Sequence, residues 1–262
     1  MKKTLCILFV MFFFTLTIYA AADIFNETLN KGVELLNLAK YDESLKYLKK
    51  ALEMKPEDPM ANYYIGRNYY YMRDFDKAIE HIKKSTELAP DFADGHCYLG
   101  YAYAAKGDEL ENSGLVNKTK GYYLKIKAKG PMSKALEIDP TNACANTGLS
   151  RADLFFRNWD EAKKKCETAL KTEPTRTTAM IYLGWAYFGL KDEKNADKWL
   201  QKASGMIPKD DAWAHYMIGD IYAMFNQCQK AVPFVEQALK IDPDYEHGNG
   251  KKRLAEIKKN IK

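Results

Sequence analysis

Residues 59–92 read PMANYYIGRNYYYMRDFDKAIEHIKKSTELAPDF, and this 34-residue stretch contains the pattern that decides the fold. Its closing proline recurs in steps of 34, 50, 34, 34 and 35 residues, at Pro56, Pro90, Pro140, Pro174, Pro208 and Pro243. Small residues recur in the same register as three sets: Gly32, Gly66, Gly100, Ser150, Gly184 and Gly219; Ser44, Ala78, Ala128, Ala162, Ala196 and Ala231; and Ala51, Ser85, Ala135, Ala169, Ala203 and Ala238. Self-similarity at a fixed interval indicates a repeat protein, in which each unit packs on its neighbours.

The stretch resembles the tetratricopeptide repeat, whose pattern is Leu-Gly, Tyr, then Ala, a large apolar residue and Pro. Residues 59–92 match it at Ile65-Gly66, Tyr69, Ala78, Ile82 and Pro90, and the fifth copy at Leu183-Gly184, Tyr187, Ala196, Leu200 and Pro208. The resemblance covers roughly residues 25–245. It implies an all-α fold, a right-handed α-solenoid of about six helix-turn-helix repeats with a C-terminal capping helix. It also implies a role in binding other proteins, which is the property that the family shares.

The sequence predicts how the chain is divided. We expect residues 1–22 to form a signal peptide and residues 246–262 to form the capping helix. The six repeats between them are 23–58, 59–92, 93–142, 143–176, 177–211 and 212–245. The third repeat carries 16 extra residues, at about 108–123, between its two helices. Such an insertion lies on one face of a repeat array and is often functional, although a tolerated surface elongation is the alternative.

Two local departures from the repeat pattern lead to further expectations. In the insertion, the residues typical of a loop are Glu109, Asn112, Ser113, Gly114 and Asn117, and those that favour a helix are Tyr122, Tyr123, Leu124 and Ile126. Gly130-Pro131 is expected to interrupt the second helix, so that this hairpin is longer or kinked. In the fourth repeat, Asp153 stands where the other copies have tyrosine or a large apolar residue. Because an unpaired buried carboxylate is costly, we expect this helix to be rotated so that Leu154 fills the space.

The first 22 residues have the pattern of a secretory signal peptide. Lys2-Lys3 precede an apolar run over residues 5–19, and three alanines follow at 20–22. This order predicts an exported protein, periplasmic or extracellular, with cleavage after Ala22. The alternative is an uncleaved membrane anchor, because the apolar run is nearly long enough to span a bilayer. No other segment is apolar enough to cross a membrane.

Composition and motifs argue against nucleic-acid binding, metal binding and catalysis. The net charge of +5 falls to +3 once Lys2 and Lys3 are removed, which is too weak a balance to indicate a nucleic-acid partner. The sequence has no phosphate-binding Gly-x-x-x-x-Gly-Lys loop and no Gly-x-Ser-x-Gly nucleophile motif. The histidines have no second ligand at metal spacing: His81, His96, His215 and His247. We therefore expect no cofactor, no metal and no enzymatic activity.

Four cysteines follow the signal segment: Cys97, Cys144, Cys166 and Cys228. Their spacing matches no Cys-x-x-Cys metal or redox motif. Buried free thiols are the favoured state. A disulfide between Cys97 and Cys144 is the alternative, since an oxidising compartment permits one.

The resemblance also implies where a partner binds, because in this family the first helices of successive repeats line a concave groove. The groove residues transferred by repeat position are Tyr63, Arg67, Tyr70, Tyr71, Tyr101, Arg151, Phe155, Trp185, Trp213 and Tyr216. Tyr, Trp and Arg dominate binding hot spots, so this set suits the capture of a protein or peptide. Packing between neighbouring helices is the alternative role for some of the aromatic residues. The Lys and Asn set by which chaperone-binding members clamp a terminal carboxylate is absent.

Taken together, the sequence predicts a non-catalytic scaffold for protein–protein interaction in the cell envelope, with the groove as its contact surface. One alternative is an envelope carbohydrate-binding or accessory enzyme module that uses the insertion in the third repeat. Another is self-association through the ends of the solenoid.

Overall fold

A computed structural model describes residues 23–111, 115–245 and 249–261. The predicted signal peptide, residues 112–114 of the insertion and His247 lie outside these ranges. Within them the chain forms thirteen helices and no strand, which confirms the all-α fold. The helices are α1 (23–37), α2 (Tyr41–Met54), α3 (Pro59–Tyr71), α4 (Phe75–Leu88), α5 (Ala93–Glu111), α6 (Leu115–Ile138), α7 (Ala143–Phe155), α8 (Trp159–Thr172), α9 (Thr177–Gly189), α10 (Glu193–Ser204), α11 (Ala212–Met224), α12 (Cys228–Ile241) and α13 (Asn249–Lys259).

Polar caps define where several of the first helices of the hairpins begin. The side-chain oxygens of Asp58, Asn142 and Asp211 each accept a hydrogen bond from the backbone N–H three residues later, at 2.8–2.9 Å. These bonds satisfy donors that have no partner inside the helix. Pro59 follows the first of these caps at the first helical position, where a missing N–H costs little.

Residues in the left-handed region connect the two helices of a hairpin. Their φ angles lie between 56° and 63°, and in the described chain they are Ala39, Arg73, Arg157, Lys191 and Asn226. At the end of α3, the Asp74 N–H donates to the Tyr69 carbonyl at 2.9 Å and the Arg73 N–H donates to the Tyr70 carbonyl at 3.0 Å. This pair of bonds satisfies the last carbonyls of the helix. None of the five is glycine, so the residue types at these positions do not indicate the turn.

The helices belong to two compact units, with the boundary after Ile138. Unit 1 contains α1–α6 and unit 2 contains α7–α13. Within each unit the helices of a hairpin pack against each other through the small residues of the repeat pattern, such as Ala78 and Ala196, which are fully buried. Large apolar side chains with no exposed surface fill the two cores: Leu48, Ile65 and Ile82 in unit 1, and Leu183, Leu200 and Ile221 in unit 2.

The insertion lengthens both helices of the third hairpin. α5 has 19 residues and α6 has 24, whereas α2–α4 and α7–α12 have 12–14 each. The prediction of a loop was wrong at Glu109 and Asn117, which are helical. The hairpin is longer, as expected, but the interruption expected at Gly130-Pro131 was wrong, since α6 continues through both residues.

A glycine pair and an ion-pair bridge hold the extended part of this hairpin together. A Cβ on Gly107 would lie 2.7 Å from the carbonyl oxygen of Gly121, so the two backbones meet where only glycine fits. Nearby, the Lys125 ammonium lies 2.6 Å from the Glu111 carboxylate and 3.1 Å from the Asp108 carboxylate. The glycines therefore permit close helix packing, and they do not mark a loop.

The fourth repeat accommodates its aspartate by pairing it with a lysine of the next helix. Leu154 is buried, with 1% of its surface exposed, and occupies the core position. Asp153 lies at the edge of the core and pairs with the Lys165 ammonium at 2.7 Å across α7 and α8. The carboxylate therefore has a partner and does not enter the apolar interior.

The C-terminal helix α13 packs against α12 and covers the end of the unit 2 core. Ile257 is buried and Leu254 contacts the core, whereas Ile261 remains 39% exposed. Arg253 Nε donates to Asp220 Oδ1 at 2.7 Å and ties α13 to α11. None of the described helices has the length and hydropathy that a bilayer crossing requires.

Candidate functional site

The face of α3 that carries Arg67 holds a dense group of tyrosines. The guanidinium carbon of Arg67 lies 4.7 Å from the ring centre of Tyr98, 5.4 Å from that of Tyr63 and 5.8 Å from that of Tyr64. We call Arg67 and these three rings the Arg67 cluster. A cation within about 6 Å of an aromatic ring centre can be attracted by the ring quadrupole. The cluster therefore stabilises a positive charge with neutral groups.

Tyr71 forms the accessible rim of the Arg67 cluster. It is 40% exposed, and its hydroxyl lies 3.3 Å from the hydroxyl of Tyr98. Its ring stacks on Tyr41 of α2, with centres 5.7 Å apart and planes 9° from parallel. Tyr70 meets the Tyr71 ring edge-on at 5.4 Å. The packing fixes the orientation of Tyr71 and leaves part of its surface open to a ligand.

Arg67 is only partly exposed and has no carboxylate partner among the described residues. Its Nε is buried and makes no hydrogen bond there. Burial of a charge is costly unless the charge is paired. Among the described residues, the guanidinium is therefore surrounded by tyrosine rings and not by a carboxylate.

Two tyrosines of the cluster, Tyr63 and Tyr98, are neutral at physiological pH. Burial raises the pKa of Tyr63 and of Tyr98 well above the ordinary 10.0, although the nearby Arg67 charge pulls in the opposite direction. Each hydroxyl therefore keeps its proton and can donate a hydrogen bond. The cluster thus offers one positive charge beside neutral donors, which suits an anionic acceptor.

Within unit 1 the predicted groove residues differ in how much of each side chain is exposed. Tyr63 was expected on the groove surface, but it is only 3% exposed, because Phe92 packs edge-on against its ring at 4.8 Å. Tyr70 and Tyr101 are half-buried, and the Tyr101 ring centre lies 6.1 Å from that of Tyr98. Tyr71 is the exposed member of the set, and Arg67 is half-buried, as Tyr70 and Tyr101 are.

Within unit 2 the predicted residues are more dispersed. Tyr216 is 8% exposed and packs against Tyr245 with ring centres 4.7 Å apart, which is the packing role that the sequence left open for some of these aromatic residues. Trp185 is half-buried against the core. The exposed members are Arg151, Trp213 at 37% and Phe155 at 75%.

Three aromatic residues that sequence reasoning missed complete the site in unit 1. Tyr64 and Tyr98 contact Arg67, and Tyr41 stacks on Tyr71. A signal was present for two of them, because Tyr64 and Tyr98 are 34 residues apart and hold the same repeat position. Two rings at one position of consecutive repeats are placed side by side by the stacking of first helices.

Other reactive groups do not form a second centre in the described ranges. No group of three or more His, Cys, Asp or Glu side chains there could hold a metal ion. Cys166 and Cys228 are buried free thiols, as the sequence favoured, but the same expectation was wrong at Cys97 and Cys144, which are disulfide-bonded. Burial raises the pKa of Cys166 from 9.0 to about 12, so its thiol stays protonated and is a poor nucleophile.

Models of the tetratricopeptide repeat match residues 29–58, 59–92, 147–211 and 214–245, which together are more than half of the chain. No curated protein sequence matches it. The third repeat, which carries the insertion, lies between the matched segments.

Solved structures with the same fold include three informative neighbours. One is the APC/C hetero-tetramer Cut9–Hcn1, with a TM-score of 0.67 and 17% identity over 88% of this chain and 42% of that one. A tetratricopeptide repeat protein from Parabacteroides merdae scores 0.57, with 16% identity over 89% and 84% of the two chains. PilW, a type IV pilus biogenesis factor, scores 0.55, with 18% identity over 86% and 97%. The repeat matches and this fold establish that the chain belongs to the tetratricopeptide repeat family, whose members generally mediate protein–protein interaction.

Proposed function

We propose that this protein is a binding scaffold that captures a segment of a partner protein at the Arg67 cluster, with an acidic side chain of that segment against Arg67. The observation that carries the proposal is the half-buried Arg67 guanidinium, which is held by three tyrosine rings and has no carboxylate partner in the described chain. Arg presents several N–H donors in a fixed plane, an arrangement that matches a carboxylate.

The surroundings of Arg67 support protein recognition in particular. Tyrosine and arginine are enriched at the centres of protein interfaces, where they bury a large area in few conformations. The rings of Tyr63 and Tyr98 meet edge-on at 5.6 Å and hold each other in place. A prearranged site loses less conformational entropy when a ligand binds.

A paired peptide array tests the proposed recognition on many acidic sequences at once. Each acidic peptide is spotted beside a copy in which Asp and Glu are replaced by Asn and Gln. We expect the wild-type protein to prefer the acidic copies and Arg67→Gln to lose that preference. Tyr47→Ala is the surface control, because Tyr47 on α2 is 41% exposed and is not part of the Arg67 cluster. Equal binding to the acidic and amide copies would overturn the proposal.

We also propose that this binding takes place in the cell envelope, in an assembly role. The support is the basic, apolar and small-residue order of residues 1–22. Protein recovered from its own cells is expected to begin at Asp23, as N-terminal sequencing would reveal. An intact N-terminus on the whole population would contradict cleavage and leave the anchored alternative.

A further inference from the structure

The extended hairpin of unit 1 presents an apolar ridge on the surface of α6. Tyr122, Tyr123 and Ile126 are 59%, 63% and 53% exposed, and their spacing of one, three and four residues places them on one helix face. We call these three side chains the α6 ridge. Neither tyrosine has a ring or hydrogen-bond partner in the described chain. Large aromatic groups are thus held in solvent beside one another.

Lysines surround the α6 ridge, and their charge outweighs the acidic charge of the same helix. α6 contains six lysines and a single acidic residue, Glu137. Lys118, Lys120 and Lys127 are exposed and have no carboxylate partner among the described residues. On a helical projection Lys118 lies on one side of the ridge, whereas Lys120 and Lys127 lie on the other.

The acidic residues of the facing helix do not cancel this charge. Asp108 and Glu111 of α5 contact Lys125, at 3.1 and 2.6 Å. Glu109 contacts Lys106 at 2.7 Å. The acids of α5 are therefore engaged with other lysines, and the ridge remains flanked by positive charge.

We propose that the α6 ridge docks on a membrane surface that contains anionic phospholipid. Tyrosine is suited to the boundary of a bilayer, because its ring is apolar and its hydroxyl is polar. Lysines on both flanks of the ridge would lie at the level of the headgroup phosphates. The opposite face of α6 is packed against α5 through Ala128 and Met132, so the ridge remains available on the outer face of the hairpin.

The convex shape of a single helix face favours a membrane over a protein segment. Partner segments bind in grooves or pockets that enclose their anchoring side chains. The ridge projects from the helix and has positive charge on both sides, which is the pattern of a helix that lies in the interface plane of a bilayer. The Arg67 cluster takes no part in this contact, so the two proposals can fail separately.

Vesicle sedimentation tests the inference with residues 23–262, whose fold is first checked by circular dichroism. The probes are vesicles of equimolar phosphatidylglycerol and phosphatidylcholine, with pure phosphatidylcholine as the neutral control. We expect binding to the anionic vesicles that weakens as salt is added. The double variant Lys118→Gln/Lys120→Gln should weaken binding roughly 30-fold, and Tyr122→Ser/Tyr123→Ser should weaken it at least about tenfold.

A matched control comes from α2, where Tyr47 is 41% exposed between the exposed Lys46 and Lys50. The triple variant Lys46→Gln/Tyr47→Ser/Lys50→Gln should bind the anionic vesicles as the wild type does. An equal loss of vesicle binding in the α6 variants and in the α2 triple variant would overturn the proposal. So would the absence of binding to the anionic vesicles at low salt. Binding to poly-glutamate without binding to vesicles would indicate an acidic protein instead, and would overturn it too. Self-association in analytical ultracentrifugation that the tyrosine variant abolishes would indicate a second copy of this chain, with the same consequence.

Discussion

Replacing Leu200 with alanine is expected to lower the free energy of unfolding of unit 2 by about 2–5 kcal/mol. Leu200 has no exposed surface and lies against Gly184, where α9 and α10 meet. Removing its branched end leaves a cavity between two helices whose approach the repeat pattern dictates. Thermal and urea unfolding followed by circular dichroism measure the change. Leu38→Ala is the control, because Leu38 is 59% exposed and its truncation should cost less than about 0.5 kcal/mol.

A substitution of Gly184, which contacts Leu200, provides a second test of this helix packing. A Cβ on Gly184 would lie 2.7 Å from Cδ2 of Leu200. Gly184→Ala alone is therefore expected to lower the free energy of unfolding of unit 2 by about 1–3 kcal/mol. In the background of Leu200→Ala that clash disappears. The second substitution should therefore cost less there than in the wild type. Additive losses would contradict the close approach of these two positions, as would a Leu200→Ala variant that is as stable as Leu38→Ala.

The sequence was sufficient to predict these packing positions. Small residues at one interval place helices in close contact, and Leu200 holds the position of the large apolar residue in the family pattern. The left-handed turns could not be predicted from the sequence, because residues other than glycine, such as Ala39 and Lys191, adopt φ angles of 56° and 62° there. There the conformation is set by the geometry of the hairpin and not by the local preference of the residue.

The site was predicted only in part, for a related reason. Position within a repeat determines the helix face on which a side chain lies, but not its neighbours from the next hairpin. Tyr63 is on the predicted face and is nevertheless buried, because Phe92 and Tyr98 pack on its ring. Tyr216 is covered by Tyr245 in the same way.

In the extended hairpin the loop prediction was wrong at Glu109 and Asn117, and the full length of α6 was hard to predict because this helix is apolar on two sides. Ala128 and Met132 face the core, while Tyr123 and Ile126 face solvent. Two opposed apolar faces cancel the periodicity by which an amphipathic helix is found in a sequence. Gly121 lies on the packed side of the helix and permits close contact with α5.

The second large effect is expected at Arg67. For an acidic peptide selected on the array, Arg67→Ala should raise Kd about 30-fold or more, a loss of about 2 kcal/mol that is typical of a hot spot. Arg67→Lys should also weaken binding, because an ammonium group cannot stack on the rings or donate from a plane as a guanidinium does. Isothermal titration calorimetry gives these values, with circular dichroism to confirm that each variant folds. Tyr47→Ala should leave Kd unchanged.

If Arg67 and an acid of the ligand form one interaction, a double-mutant cycle measures it directly. Kd is determined for wild-type and Arg67→Ala protein, each with the acidic peptide and with its amide copy. We predict a coupling energy of at least about 1 kcal/mol, since close charge pairs across an interface couple strongly. A coupling energy of zero, with the two changes additive, would show that the acid binds elsewhere and would contradict the proposed contact with Arg67.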